Sequence, residues 1–125
     1  MKTVLVVVRD RELCELLAQT FVGHGFRARS ASDVVGGLFQ FGLVQPDLVV
    51  LDTNGMDVLK RLRALSNVPI IVLVEDDPRA GIESLNQGAD YYVTEPPNLM
   101  ELLAKARALF RRETNVYAHA VAVDG

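Results

Sequence analysis

Cysteine pairs are missing from this chain. Its one cysteine, Cys14, rules out an internal disulfide and fits a reducing compartment. Cys14 sits inside an apolar pattern of helical period, where a small buried hydrophobe is expected rather than a reactive thiol. Long apolar runs are missing too: no stretch approaches the roughly 20 residues that span a bilayer, so no membrane anchor is expected. The apolar start at residues 4–8 is too short for a secretory leader and breaks at Arg9-Asp10-Arg11-Glu12 without a small-residue cleavage site. Basic charge is in short supply. Lys and Arg number 13 against 16 Asp and Glu, a net charge of −3, which excludes a global electrostatic footprint for nucleic acid or an anionic membrane. Neither a GxGxxG nor a GxxxxGK phosphate loop is present. His24, between two glycines, and His119, near the end, have no ligand-spaced partner and read as surface residues.

What is present is one domain's worth of sequence: 125 residues, half of them apolar and 23% charged, enough for a real core. Apolar runs of strand length alternate with segments of helical period. Residues 4–8 read as a strand buried on both faces. Leu13, Leu16, Leu17 and Phe21 recur at helical spacing until Gly23-His24-Gly25 stops the helix. A weaker strand is expected at 26–30, then a helix from Val34 to about Phe41, capped by Ser32 or Asp33. A third strand spans 48–51, and a helix carrying Leu59, Leu62 and Leu65 begins near Asp57. Residues 69–74 form a fourth, β-branched strand. A helix over 78–87 opens on a proline and ends before Gly88. The fifth strand is 91–94, and an amphipathic helix covers 99–112. Five β-α units with right-handed crossovers predict an α/β doubly wound parallel sheet. One domain is expected over 1–112. Residues 113–125, whose alternation from Val116 to Asp124 suggests a strand, are a tail, a linker or the start of a truncated second domain.

The most informative run is Pro46-Asp47-Leu48-Val49-Val50-Leu51-Asp52. It is a short apolar strand ending in one carboxylate, where the chain must leave the sheet. In open α/β sheets, ligands and chemistry gather in the crevice beyond the strands' carboxyl ends. Together with Val68-Pro69-Ile70-Ile71-Val72-Leu73, Gly88-Ala89-Asp90-Tyr91-Tyr92-Val93-Thr94, Glu101-Leu102-Leu103 and Leu109-Phe110-Arg111-Arg112, it resembles the receiver domain of bacterial response regulators over roughly residues 2–112. The resemblance implies a five-unit flavodoxin-like fold with strand order 2-1-3-4-5. The last helix, with its Arg-Arg ending, is most similar to the subfamily whose receiver precedes a winged-helix DNA-binding domain. Ala120-Val121-Ala122-Val123-Asp124 resembles the opening hairpin of that second domain.

The resemblance implies a phosphoryl chemistry and also shows where this chain departs from it. In the family, the Asp ending strand three is phosphorylated, and Mg²⁺ is held by that Asp and an acidic pair ending strand one. A Lys ending strand five and a hydroxyl ending strand four contact the phosphoryl group. Asp52 takes the phosphoacceptor position. The acidic pair corresponds to Val8 and Arg9, with Asp10 one residue beyond; the hydroxyl corresponds to Val74 and the Lys to Glu95. The loop Thr53-Asn54-Gly55-Met56-Asp57 is shorter than the family's. A phosphoryl group brings up to about two negative charges, and Glu95 reverses the charge that would meet them. The expectation is an inactive phosphorylation site without a metal, in which the Arg9 guanidinium neutralises Asp52 and Asp10 caps the first helix.

Tyr92 holds the position of the family's switch aromatic, deprived of its hydroxyl trigger by Val74. The winged-helix subfamily dimerises on the strand-five and final-helix side, which here carries Asp90, Tyr91, Glu101, Lys105 and Arg107; Tyr91 replaces a common second Asp. The leading expectation is a cytoplasmic regulatory domain rather than an enzyme. It would dimerise or dock without phosphorylation or dependence on a partner histidine kinase, and would reach DNA only through a downstream domain. The alternative is a working phosphoacceptor in a two-component system, using Asp52 and Mg²⁺ held by Asp10 and Asp52, with Glu75 as a further ligand. Glu75-Asp76-Asp77 could add acid to a cation pocket, but reads first as a helix-capping loop. A third reading starts from Asp52-Thr53-Asn54-Gly55-Met56, which resembles the nucleophile loop of haloacid-dehalogenase-like phosphatases, with Asn54 in place of its second acid.

Overall fold

The computed structural model describes the backbone of residues 1–124 and the side chains of residues 1–112. The elements run β1 (Thr3–Val7), α1 (Arg11–Gly23), β2 (Arg27–Ala31), α2 (Val34–Val44), β3 (Leu48–Asp52), a 3₁₀ turn (Thr53–Gly55), α3 (Met56–Leu65), β4 (Ile70–Val74), α4 (Pro78–Asn86), β5 (Tyr91–Thr94) and α5 (Leu99–Asp124). All strand pairs are parallel, in the order β2-β1-β3-β4-β5. This is the doubly wound sheet expected from the alternation of apolar runs and helical periods.

The apolar runs of β1, β3 and β4 have no polar face because both faces of the sheet are covered. Val4, Val6, Leu48, Val50, Ile71 and Leu73 point to one side and pack with Cys14, Leu17 and Phe21 of α1 and with Leu102, Leu103 and Ala106 of α5. Their neighbours Leu5, Val7, Val49, Leu51, Ile70 and Val72 point to the other side, against Val58, Leu59 and Leu62 of α3. The period of 2 in the strands thus splits one sheet between two cores. Phe26 bridges Phe21 and Phe110, with ring centroids 5.8 Å apart in both pairs.

Two boundaries differ from expectation. α2 runs three residues past Phe41, to Val44, and ends in a left-handed Gln45 with φ of 47°. α5 continues in backbone to Asp124, beyond the expected stop at Arg112, because neither Gly nor Pro falls between Asn98 and Gly125. The strand suggested by the alternation from Val116 to Asp124 is corrected to helix in the backbone; the side chains beyond Arg112 lie outside those described. Among the described residues, no helix is long and apolar enough to cross a membrane.

Candidate functional site

The candidate site forms at the carboxyl end of the sheet. β1 and β3 pair with Val7 opposite Leu51, so the next residue on each strand, Val8 and Asp52, reaches the crevice. Asp52 is only 6% exposed. Its Oδ2 accepts a hydrogen bond from the main-chain N–H of Arg9 at 2.7 Å. This corrects the expected ion pair. The Arg9 side chain is exposed, and the ion pairs among the described residues lie elsewhere. The chain leaves β1 with its amide directed at Asp52, while Arg9 itself lines the depressions on that carboxylate without an ion pair among the described residues.

The other positions fall around the same carboxylate. Val8 and Val74 are both buried, at the ends of the two strands that would supply a metal ligand and a hydroxyl. Asp10 is the N-cap of α1, its Oδ1 accepting from the N–H groups of Glu12 at 3.0 Å and Leu13 at 3.2 Å. Glu95 follows β5, and its N–H donates to Val74 O at 2.7 Å. A depression of about 400 Å³ is lined by Asp10, Asp52, Glu75 and Glu95 together with Arg9, Thr53 and Asn54. Burial pushes the Glu95 carboxyl above its ordinary range, and the negative charges of Asp52, Glu75 and Asp10 push it further. Asp76 lines an adjoining hollow with Asp10, Glu75 and Glu95, while Asp77 caps α4 through Arg79 N at 2.9 Å. Thr53 and Asn54, which the sequence placed in a shortened loop, reach the rim because that loop turns directly into a 3₁₀ turn.

This donor set does not fit the family's Mg²⁺. Asp10 is oriented toward the α1 amides, the Val8 side chain offers no oxygen, and one Asp52 oxygen faces an N–H. Among the described residues, no three His, Cys, Asp or Glu converge as a metal site. Cys14 is buried as expected, and its thiol pKa is raised chiefly by that burial. His24 closes the end of α1, its Nδ1 2.9 Å from Thr20 O; His119 lies outside the described side chains.

On the strand-five side, most residues of the expected dimer face make contacts within the chain. Asp90 is held at the opposite, amino end of the sheet. Its Oδ2 meets Arg63 Nη2 at 2.9 Å and accepts from Ile70 N at 2.8 Å, and its Oδ1 meets Arg112 Nη2 at 2.9 Å. Glu101 pairs with Lys105 at 3.0 Å within α5. Lys105 also donates to Tyr92 O at 3.0 Å and lies over the Tyr91 ring at 5.8 Å. Arg107 is exposed. Tyr92 is half-buried with its ring against α4, so close that a Cβ on Gly81 would stand 2.7 Å from it.

Comparison with known proteins agrees with this architecture. The response regulator receiver domain family matches residues 4–107. The sensory transduction protein RegX3 of Mycobacterium bovis is 37% identical over 118 residues, covering 90% of this chain and 52% of that protein. The DNA-binding response regulator MtrA of Mycobacterium leprae is 36% identical over 126 residues, covering 96% of this chain and 56% of that protein. The chain therefore spans about half the length of the curated relatives it matches. Among solved structures, the receiver domain of the Francisella response regulator 1452 superposes with a TM-score of 0.84 at 29% identity, covering 90% of this chain and 99% of that one. A putative response regulator from Chloroflexus aurantiacus gives 0.80 at 27% identity, covering 86% and 95%. With five parallel β-α units, a carboxylate ending the third strand and a family match over most of its length, this chain belongs to the response regulator receiver domains.

Proposed function

We propose that this is an atypical receiver, a non-enzymatic regulatory domain that docks or dimerises without phosphorylation. The observation that carries the reading is Glu95 beside Asp52 at the rim of one depression, its carboxyl already raised by burial and by neighbouring negative charge. A phosphoryl group on Asp52 would add up to about two more negative charges where Glu95 stands in place of a cation. Each missing charge-assisted contact costs on the order of 1–3 kcal/mol. The apolar Val74 removes the hydroxyl that would respond to phosphate, and the packing of Tyr92 on Gly81 gives its ring an inward position without such a response.

The names of RegX3 and MtrA support a role in signal transduction and transcription regulation, with DNA reached through a further domain. On this reading the domain is cytoplasmic, carries no cofactor and does not depend on a partner histidine kinase. The strand-five and α5 side remains the proposed docking face, narrowed to exposed groups such as Arg107, because Asp90 and Glu101 are paired within the chain.

Incubation with Mg²⁺ and a small phosphodonor tests the proposal. The expected result is no covalent mass increase and no change in elution volume. Stoichiometric, hydroxylamine-labile labelling that disappears in Asp52→Asn would overturn it and establish the working phosphoacceptor.

A further inference from the structure

We propose that α2 is a self-association surface, through which two copies of this chain pack ridge to ridge in a reversible two-fold dimer. Residues 34–44 contain no charged side chain, yet α2 is the outermost helix on its face of the sheet. It packs on β1 and the edge strand β2, with α3 beside it. Leu38 and Phe41 turn inward against the core. Val35, Phe39 and Leu43 turn outward and are 79%, 67% and 63% exposed. Together they form an unbroken apolar stripe about 12 Å long, on a helix whose interior-facing needs are already met.

Three features select a second copy as the occupant. The spacing is one: positions i, i+4 and i+8 make a single ridge, and ridges of this type interlock with their own kind at a crossing angle of about −50°. The ridge is also nearly symmetric about Phe39. A two-fold pair crossing there at that angle places the two Phe39 rings side by side, each ridge seated in the groove beside the other. Charge is the second, since an uncharged helix meets its copy without repulsion, although the chain as a whole is at −3. Area is the third. Six such side chains supply about 600 Å² of apolar surface, below the roughly 1,200 Å² of a stable complex. That is the scale of a weak, concentration-dependent pair.

Gly42 adds an independent argument. Glycine weakens a helix interior, and two of the α2 glycines have local reasons. A Cβ on Gly36 would come within 2.9 Å of Asp33 Oδ1, and one on Gly37 within 2.9 Å of Val7 Cγ1. Nothing lies within 4 Å of a Cβ on Gly42, which is exposed beside Phe39 and Leu43. The missing side chain leaves the groove beside Phe39 and Leu43 open to a second helix.

This inference does not depend on the state of Asp52, so a positive labelling result would leave it standing. Sedimentation equilibrium of the chain from about 10 µM to about 1 mM is expected to show a monomer–dimer equilibrium. Phe39→Glu, at a solvent-facing position with unchanged circular dichroism expected, should weaken it at least 10-fold. Mixing Phe39→Glu with Phe39→Lys should restore association as a heterodimer. Arg107→Glu, on the α5 side, should leave it unaltered. A chain that stays monomeric over the whole range would overturn the proposal. So would a dimer that survives Phe39→Glu or dissolves with Arg107→Glu.

Discussion

The two ends of the sheet treat charge in opposite ways. At the amino end, Asp90 meets two arginines and the Ile70 N–H, while Arg63 also donates to the carbonyls of Gly88 at 2.6 Å and Val68 at 2.6 Å. Every group there has an opposite partner, and the contacts tie α3, β4, β5 and α5 together. At the carboxyl end, Asp10, Asp52, Glu75 and Glu95 share a depression in which Arg9 is the one cationic lining residue. One end is held together by pairing. The other gathers like charges, and the raised Glu95 carboxyl pKa is the sign of it.

Removing the amino-end anchor should give the largest effect. Asp90→Ala leaves Arg63, four-fifths buried, without its carboxylate and the Ile70 amide without its acceptor, and is expected to cost about 2–4 kcal/mol in urea unfolding. Gly88→Ala attacks the same clamp through the backbone. Its φ is 115° and a Cβ would sit 2.7 Å from Arg63 Cγ, so a loss of about 1–3 kcal/mol is expected. If either substitution proves neutral, the contrast between the two ends collapses.

At the acidic end the signs differ. Asp10→Ala should still destabilise, by about 1 kcal/mol, because it uncaps α1; a larger loss sensitive to Mg²⁺ would indicate a ligand instead of a cap. Glu95→Gln should stabilise slightly at pH 7, by no more than about 0.5 kcal/mol after solvent screening. Glu95 binds its proton more tightly folded than unfolded, so its ionisation opposes folding. Stability should therefore rise as pH falls from its raised value toward the ordinary carboxylate range, and decline as pH rises through that value. Thermal melts of wild type and Glu95→Gln across that window should converge on acidification.

The fold was legible because its signals are local. Continuous apolar runs marked strands covered on both faces, and the capping residues Asp10, Asp33 and Asp77 precede α1, α2 and α4. The site positions followed from where strands end. Three things were not legible. The Asp90 clamp joins residues 27 and 22 positions apart, and an aspartate before a strand gives no hint of which arginines it will meet. The α2 stripe was hidden because apolar residues all around a helix read simply as core. The hold on Asp52 comes from the main chain of Arg9, which every residue except proline provides alike.

That last contact has a consequence for inheritance. A tether made by an amide is indifferent to what the genetic code writes at its position, so position 9 can drift among nineteen residues while Asp52 stays fastened. Substitutions elsewhere around the site leave this fastening intact. Only Arg9→Pro would release it, and protection of the Arg9 amide against deuterium exchange would reveal the bond in any descendant of the chain.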